Sequence, residues 1–197
     1  MGKEESNSSM KNNEQQEAYE KLMSANHGRM IDFVKFAETK NAALLTFCSV
    51  WMAAIVTLLK ASEELPMGYG YAFQATLPLL FIAAAICLKS LLPLFLDQVH
   101  ELESDYPNLL YFGDIAKGGV KNYSRMAEEL YMPMKDQLAS PAYLQDLAVQ
   151  TAIQASIAHR KFQMFKWSGT LVLLAFLCMA VPPLSFCAKW VISLLHC

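Results

Sequence analysis

The stretch YPNLLYFGDIAKGG, Tyr106 to Gly119, holds the side chains best able to recognise a flat ligand. Tyr111 and Phe112 are adjacent aromatics. An aromatic face either packs as core or stacks on a ring such as a nucleobase. Leu109, Leu110, Tyr111, Phe112 and Ile115 are too apolar to leave in water, at about 25 cal/mol per Å². They are expected to pack against neighbouring helices. Gly113 lets the backbone turn or approach a neighbour. Lys117-Gly118-Gly119 resembles half of a phosphate loop and lacks the rest.

Other reactive types are scattered. His27, His100, His159 and His196 stand apart from one another, and His100 with Glu101 and Glu103 reads as a solvated helix face. There is no GxSxG and no HExxH, so the chain is not expected to be an enzyme. The five cysteines, Cys48, Cys87, Cys178, Cys187 and Cys197, form no CxxC and no Cys/His spacing for zinc. No metal and no cofactor is expected.

The elements that must position these residues are membrane helices. Only 17% of the 197 residues are charged, against about a quarter in a soluble domain. The net charge of −2 gives no support to nucleic-acid binding. Apolar residues gather in three blocks, at 42–59, 71–96 and 167–188. Each covers a hydrocarbon core that needs about 20 helical residues. No strand alternation suggests a barrel. The fold class is therefore an all-α membrane protein with three transmembrane helices. Pro78, Pro93 and Pro182-Pro183 interrupt the spans and can kink them. Lys89 lies near one end of its span and can snorkel.

Residues 60–70 read as a tight external turn and 189–197 as an external tail. Lys3, Lys11, Lys21, Arg29, Lys35 and Lys40 precede the first span. Lys117, Lys121, Arg125, Lys135, Arg160, Lys161 and Lys166 lie between the second and third. The turn and the tail have only Lys60 and Lys189. The positive-inside rule puts the N-terminus and the 97–166 segment in the cytoplasm.

That cytoplasmic part reads as helical. Residues 1–12 are expected to be a disordered polar tail and 13–41 a helical stalk entering the first span. Asp97 to Asp105 extends the second span as an acidic helix, ended by Pro107. Ser124 to Leu130 suggests a short helix. Ser140 is the N-cap and Pro141 the first residue of a second stalk, interrupted by no breaker before the third span except Gly169.

NLLYFG, together with FAETKNAALL at Phe36–Leu45 and DLAVQTAIQASIAHRKF at Asp146–Phe162, resembles the membrane effectors of the Pycsar anti-phage systems. The likeness covers most of residues 30–190, and NLLYFG is its specific part. Glu38 stands where that family usually has Asp. The resemblance implies a bacterial inner-membrane protein paired with a pyrimidine nucleotide cyclase. Phage infection makes cyclic CMP (cCMP) or cyclic UMP (cUMP), and the effector impairs the inner membrane so that the infected cell stops or dies. A homo-oligomer is expected. Such a ligand has one phosphate and one base. Lys40, Arg160 and Lys161 are the candidates for the phosphate, and Tyr111, Phe112, Asn108 and Gln150 for the base, with Glu38 in the acidic-x-Lys motif. The competing reading is an integral-membrane scaffold or assembly protein with no small-molecule ligand, in which Glu38 and Lys40 are a structural ion pair or solvated charges.

Overall fold

A computed structural model of the chain describes residues 2–61, 68–92, 106–134 and 137–195. Four helices account for most of them: α1 (Gly2–Ala61), α2 (Tyr69–Leu91), α3 (Phe112–Tyr131) and α4 (Pro141–Leu195). No strand occurs among the described residues. The acidic extension at Asp97 to Asp105, with His100, Glu101 and Glu103, lies outside them, as do Pro93, residues 62–67 of the turn and His196-Cys197.

The long helices follow from the sequence. Between Lys3 and His27 there is neither proline nor glycine, and Glu, Gln, Lys, Ala and Met recur. α1 runs from Gly2 to Ala61. α4 opens on a side-chain cap: Ser140 Oγ accepts the N–H of Tyr143 at 3.1 Å, with Pro141 at the first helical position. Gly169 and Pro182-Pro183 do not end α4, which continues to Leu195.

The chain divides into two compact units. A polar unit comprises Met1–Val34 and Phe95–Ala158, and a spanning unit comprises Lys35–Leu94 and His159–Cys197. α1 and α4 each contribute to both.

In the spanning unit, helices α1, α2 and α4 supply the three candidate spans, long and apolar enough to cross a membrane. Their core is Cys48, Ile55, Phe73, Leu80, Ala83, Ala84, Val172 and Ala175. Small residues at helix contacts let backbones approach, as membrane packing favours. Thr76 uses that proximity: its hydroxyl donates to Ala72 O at 2.8 Å and to Ala175 O of α4 at 3.3 Å. Trp51 packs edge-on against Phe176, with ring centroids 5.2 Å apart. The outer face is apolar too. Val50, Phe81, Leu173 and Leu184 are 61–66% exposed, a surface suited to lipid rather than water.

In the polar unit, α3 is longer than the sequence suggests. It begins at Phe112, not Ser124, because the Tyr111 carbonyl accepts the N–H groups of Asp114 and Ile115, each at 3.1 Å. Asp114 in the first turn complements the helix dipole. Gly119 interrupts the helix with φ 69° and ψ 160°, a positive-φ extended conformation essentially confined to glycine.

Candidate functional site

The NLLYFG motif is a turn fastened to α4. Tyr111 N–H donates to Asn108 O at 3.1 Å and closes the turn. The Asn108 side-chain oxygen accepts Leu110 N–H at 2.9 Å, and Asn108 N–H donates to Asp114 Oδ2 at 3.2 Å. The Asn108 amide also donates to the Asp146 carbonyl at 3.4 Å. Asp146 is the anchor on α4. Its carboxylate is buried and accepts Leu109 N–H at 3.2 Å and the Tyr131 hydroxyl at 2.5 Å. Burial, with the neighbouring Asp146 hydrogen bond and charge, pushes the Tyr131 phenol well above its ordinary range, so it stays a donor.

The aromatic pair splits. Tyr111 is half-buried, and its ring lies over Gly113, where an added Cβ would meet Tyr111 Cε1 at 2.5 Å. Glycine at 113 therefore makes room for the Tyr111 ring. Leu109 is 3% exposed, and Leu110 and Ile115 are half-buried. Phe112, expected to pack inward, is instead 66% exposed. It is the first residue of α3 and points its ring away from the motif's buried side, with only the Tyr111 ring at 4.9 Å as an aromatic neighbour among the described residues.

Gln150 lies one helical turn beyond Asp146 on the same face of α4. It is 3% exposed, and its amide nitrogen has no hydrogen-bond partner among the described residues. A buried donor without a partner costs free energy, which a ligand acceptor would recover. An open cleft of about 380 Å³ in this unit is lined by Glu17, Glu20, Lys21, Ser24 and Leu138, none of them a candidate residue. Its two carboxylates and one ammonium disfavour an anionic guest.

The remaining candidates, Glu38, Lys40, Arg160 and Lys161, belong to the spanning unit. Lys161 is buried, with a side chain 6% exposed. Its ammonium donates to Ser90 O at 2.7 Å and pairs with Glu38 Oε1 at 3.0 Å. Ser90 is in the last turn of α2, where carbonyls lack intrahelical donors, so Lys161 caps α2 and complements its dipole. Asn41, fully buried, donates to Ala37 O at 2.8 Å and to Lys161 O at 3.2 Å. One cluster thus ties α1, α2 and α4. Lys40 points elsewhere, 4.5 Å from the Phe36 ring centre and 5.4 Å from that of Phe165, where an ammonium is attracted by the ring faces. Glu38 and Lys40, two residues apart, diverge on the helix, and Glu38 takes Lys161 as its partner. Arg160 is exposed.

Asn41, Ser90, Tyr131 and Asp146 complete these networks, and motif reading does not single them out. A signal existed for two of them. Asn41 follows Ala37, and Asp146 precedes Gln150, at the four-residue spacing of a buried helix face.

The family model described as the Pycsar effector protein domain, PycTM, matches residues 22–188. Pycsar effector protein RsPycTM of a Rhizobium species is 63% identical over 175 residues, spanning 89% of this chain and 100% of that protein. No solved structure matches the chain.

Proposed function

We propose, since the chain belongs to the Pycsar effector protein family of transmembrane anti-phage proteins, that it is a bacterial inner-membrane effector switched on by cCMP or cUMP. A pyrimidine nucleotide cyclase makes the ligand. The bound effector, working as a homo-oligomer, impairs the membrane and the infected cell stops growing or dies. The N-terminus and the central segment face the cytoplasm, where such a ligand appears, in keeping with the lysines and arginines that flank the spans on that side.

The observation that carries the ligand reading is Gln150, a buried amide in the polar unit whose nitrogen has no partner among the described residues. A pyrimidine carbonyl is the acceptor it lacks. Tyr111 offers a ring face for the base, and Asn108 fixes the turn that presents it. To move a two-state protein from 1:99 to 99:1, the ligand must favour the active state by about 5.5 kcal/mol. Coupling between subunits would lower what each site supplies.

The test is thermal stability of the detergent-purified chain against a panel of cyclic mononucleotides and dinucleotides. A ligand that binds only the folded state raises the melting temperature with concentration. The expected result is a rise with cCMP or cUMP alone. No rise with any nucleotide at millimolar concentration, in folded protein, would overturn the reading in favour of a ligand-free scaffold.

A further inference from the structure

Within the spanning unit, Glu38, Asn41, Ser90 and Lys161 form a cluster that stability alone does not explain. Lys161 Nζ donates to Ser90 O at 2.7 Å and pairs with Glu38 Oε1 at 3.0 Å, while Asn41 Nδ2 donates to Lys161 O at 3.2 Å. Two atoms of the same residues are left over. Asn41 Oδ1 and Ser90 Oγ have no partner among the described residues, although Asn41 is fully buried and Ser90 is 3% exposed. Each costs free energy that an apolar side chain would not. A partly satisfied buried network is less stable than apolar packing of similar volume. Parting the helices reverses this balance. Lys161 then loses Ser90 O and Glu38, but water reaches Asn41 Oδ1, Ser90 Oγ, the ammonium and the carboxylate. That hydration offsets much of the loss, so the closed and parted arrangements lie close in free energy. Glu38 lies four residues after Val34 on α1, and Lys161 three after Ala158 on α4, where each helix runs on unbroken from the polar unit. Further polar groups lie deeper in the span. Ser168 follows Lys161 by seven residues on α4, and Thr76 precedes Ser90 by fourteen on α2, a repeat that keeps one face toward partner helices. Both are fully buried.

We infer that Lys161, Glu38 and Ser90 form a latch that holds the spanning unit shut. It is an autoinhibitory contact, and its release admits water and small ions along the seam of α1, α2 and α4. The inference deepens the membrane-effector reading above and rests on it, with the cyclic nucleotide as the signal that releases the latch. Ionisable groups buried in membrane helices are costly and mark such working sites. Water that enters at the latch meets the Ser168 and Thr76 hydroxyls, which in the closed unit bond only to backbone carbonyls among the described residues.

The experiment follows the collapse of a pH gradient across liposomes holding the purified chain and a trapped indicator dye, first without ligand and then with cCMP or cUMP. The proteins are wild type, Lys161→Met, Glu38→Gln, Ser90→Ala and Leu80→Ala, each with its melting temperature recorded. Without ligand, Lys161→Met is expected to lose the gradient about tenfold faster than wild type or more. Glu38→Gln, which keeps the Ser90 contact, is expected to lose it about fivefold faster. Leu80, 1% exposed in the apolar core of the same unit, is the control. Leu80→Ala is expected to melt lower without leaking, whereas a purely structural role for Lys161 would make the two variants alike. Ser90→Ala keeps the carbonyl that Lys161 caps and removes an unpartnered hydroxyl. It is expected to melt no lower than wild type and to need about threefold more nucleotide for the same rate. Wild-type rates in both Lys161→Met and Glu38→Gln, or equal leakage from Leu80→Ala, would overturn the latch whatever the nucleotides do. If Lys161→Met does not fold, Glu38→Gln decides by the same comparison. A gradient that wild type keeps with both nucleotides and Lys161→Met loses would uphold the latch and refute the nucleotide reading.

Discussion

Replacing Lys161 by Met is expected to destabilise the chain by about 1–3 kcal/mol, and the size follows from the contacts it loses. The ammonium caps Ser90 O at 2.7 Å, and Ser90 is 3% exposed, so its carbonyl would be left without that donor and largely without water. The ion pair to Glu38, at 3.0 Å, has a bare Coulomb energy of about 1.4 kcal/mol in water and about 5.5 kcal/mol at an effective dielectric of about 20. Glu38 is 45% exposed, so solvent screening brings its share to about 1 kcal/mol. Against these losses, Met recovers part of the cost of burying an ammonium. Glu38→Gln alone is expected to cost about 1 kcal/mol. In the double variant the Glu38 change is expected to add almost nothing, giving an interaction energy of about 1 kcal/mol. The assay is a double-mutant cycle from denaturant unfolding in detergent micelles. Additive effects, or wild-type stability in Lys161→Met, would refute the view that Lys161 ties the three helices.

Tyr131 carries an expected pH dependence. Its folded-state pKa lies above the ordinary 10.0, so the folded protein holds the phenolic proton longer, and that stabilisation is complete below pH 10 and falls as pH rises beyond it. Unfolding midpoints should drop above pH 10 in wild type and lose that component in Tyr131→Phe. Leu109→Ala, at a 3% exposed position, is expected to cost about 2–4 kcal/mol. Phe112→Ala, at 66% exposure, should cost under about 0.5 kcal/mol; equal losses in thermal melts would contradict the inward and outward placement of the two residues. Gly119→Ala, at φ 69° and ψ 160°, should cost about 1–3 kcal/mol by the same melts.

The helical class and the three spans are legible in the sequence because a run of about 20 apolar residues is a local signal that needs no tertiary partner. The Ser140-Pro141 start of α4 is legible for the same reason, being chemistry confined to four residues. The start of α3 is not, because Gly113 reads as a turn and Lys117-Gly118-Gly119 as half of a phosphate loop, whereas Gly113 makes room for the Tyr111 ring and, of the three glycines, Gly119 alone leaves the helical conformation. Phe112 reads as an inside residue because hydrophobicity is its only signal in the sequence; its position at the first turn of α3 turns it out. The Glu38–Lys161 pair joins residues far apart in the chain, and a motif that sets Glu38 beside Lys40 points to the wrong partner. The eight candidates divide between the two units: Asn108, Tyr111, Phe112 and Gln150 in the polar one, Glu38, Lys40, Arg160 and Lys161 in the spanning one. That division depends on how helices pair, which spacing along one helix does not encode.

The most direct measurement is dye release from liposomes holding the purified chain. Cyclic CMP, cyclic UMP and, as a control, cyclic AMP are added on the side that faces the N-terminus. The expected result is release within minutes with one cyclic pyrimidine nucleotide, none with cyclic AMP and none without ligand. Release that ignores the nucleotide, or none with any of them from correctly inserted protein, would contradict a membrane effector switched by a cyclic pyrimidine nucleotide.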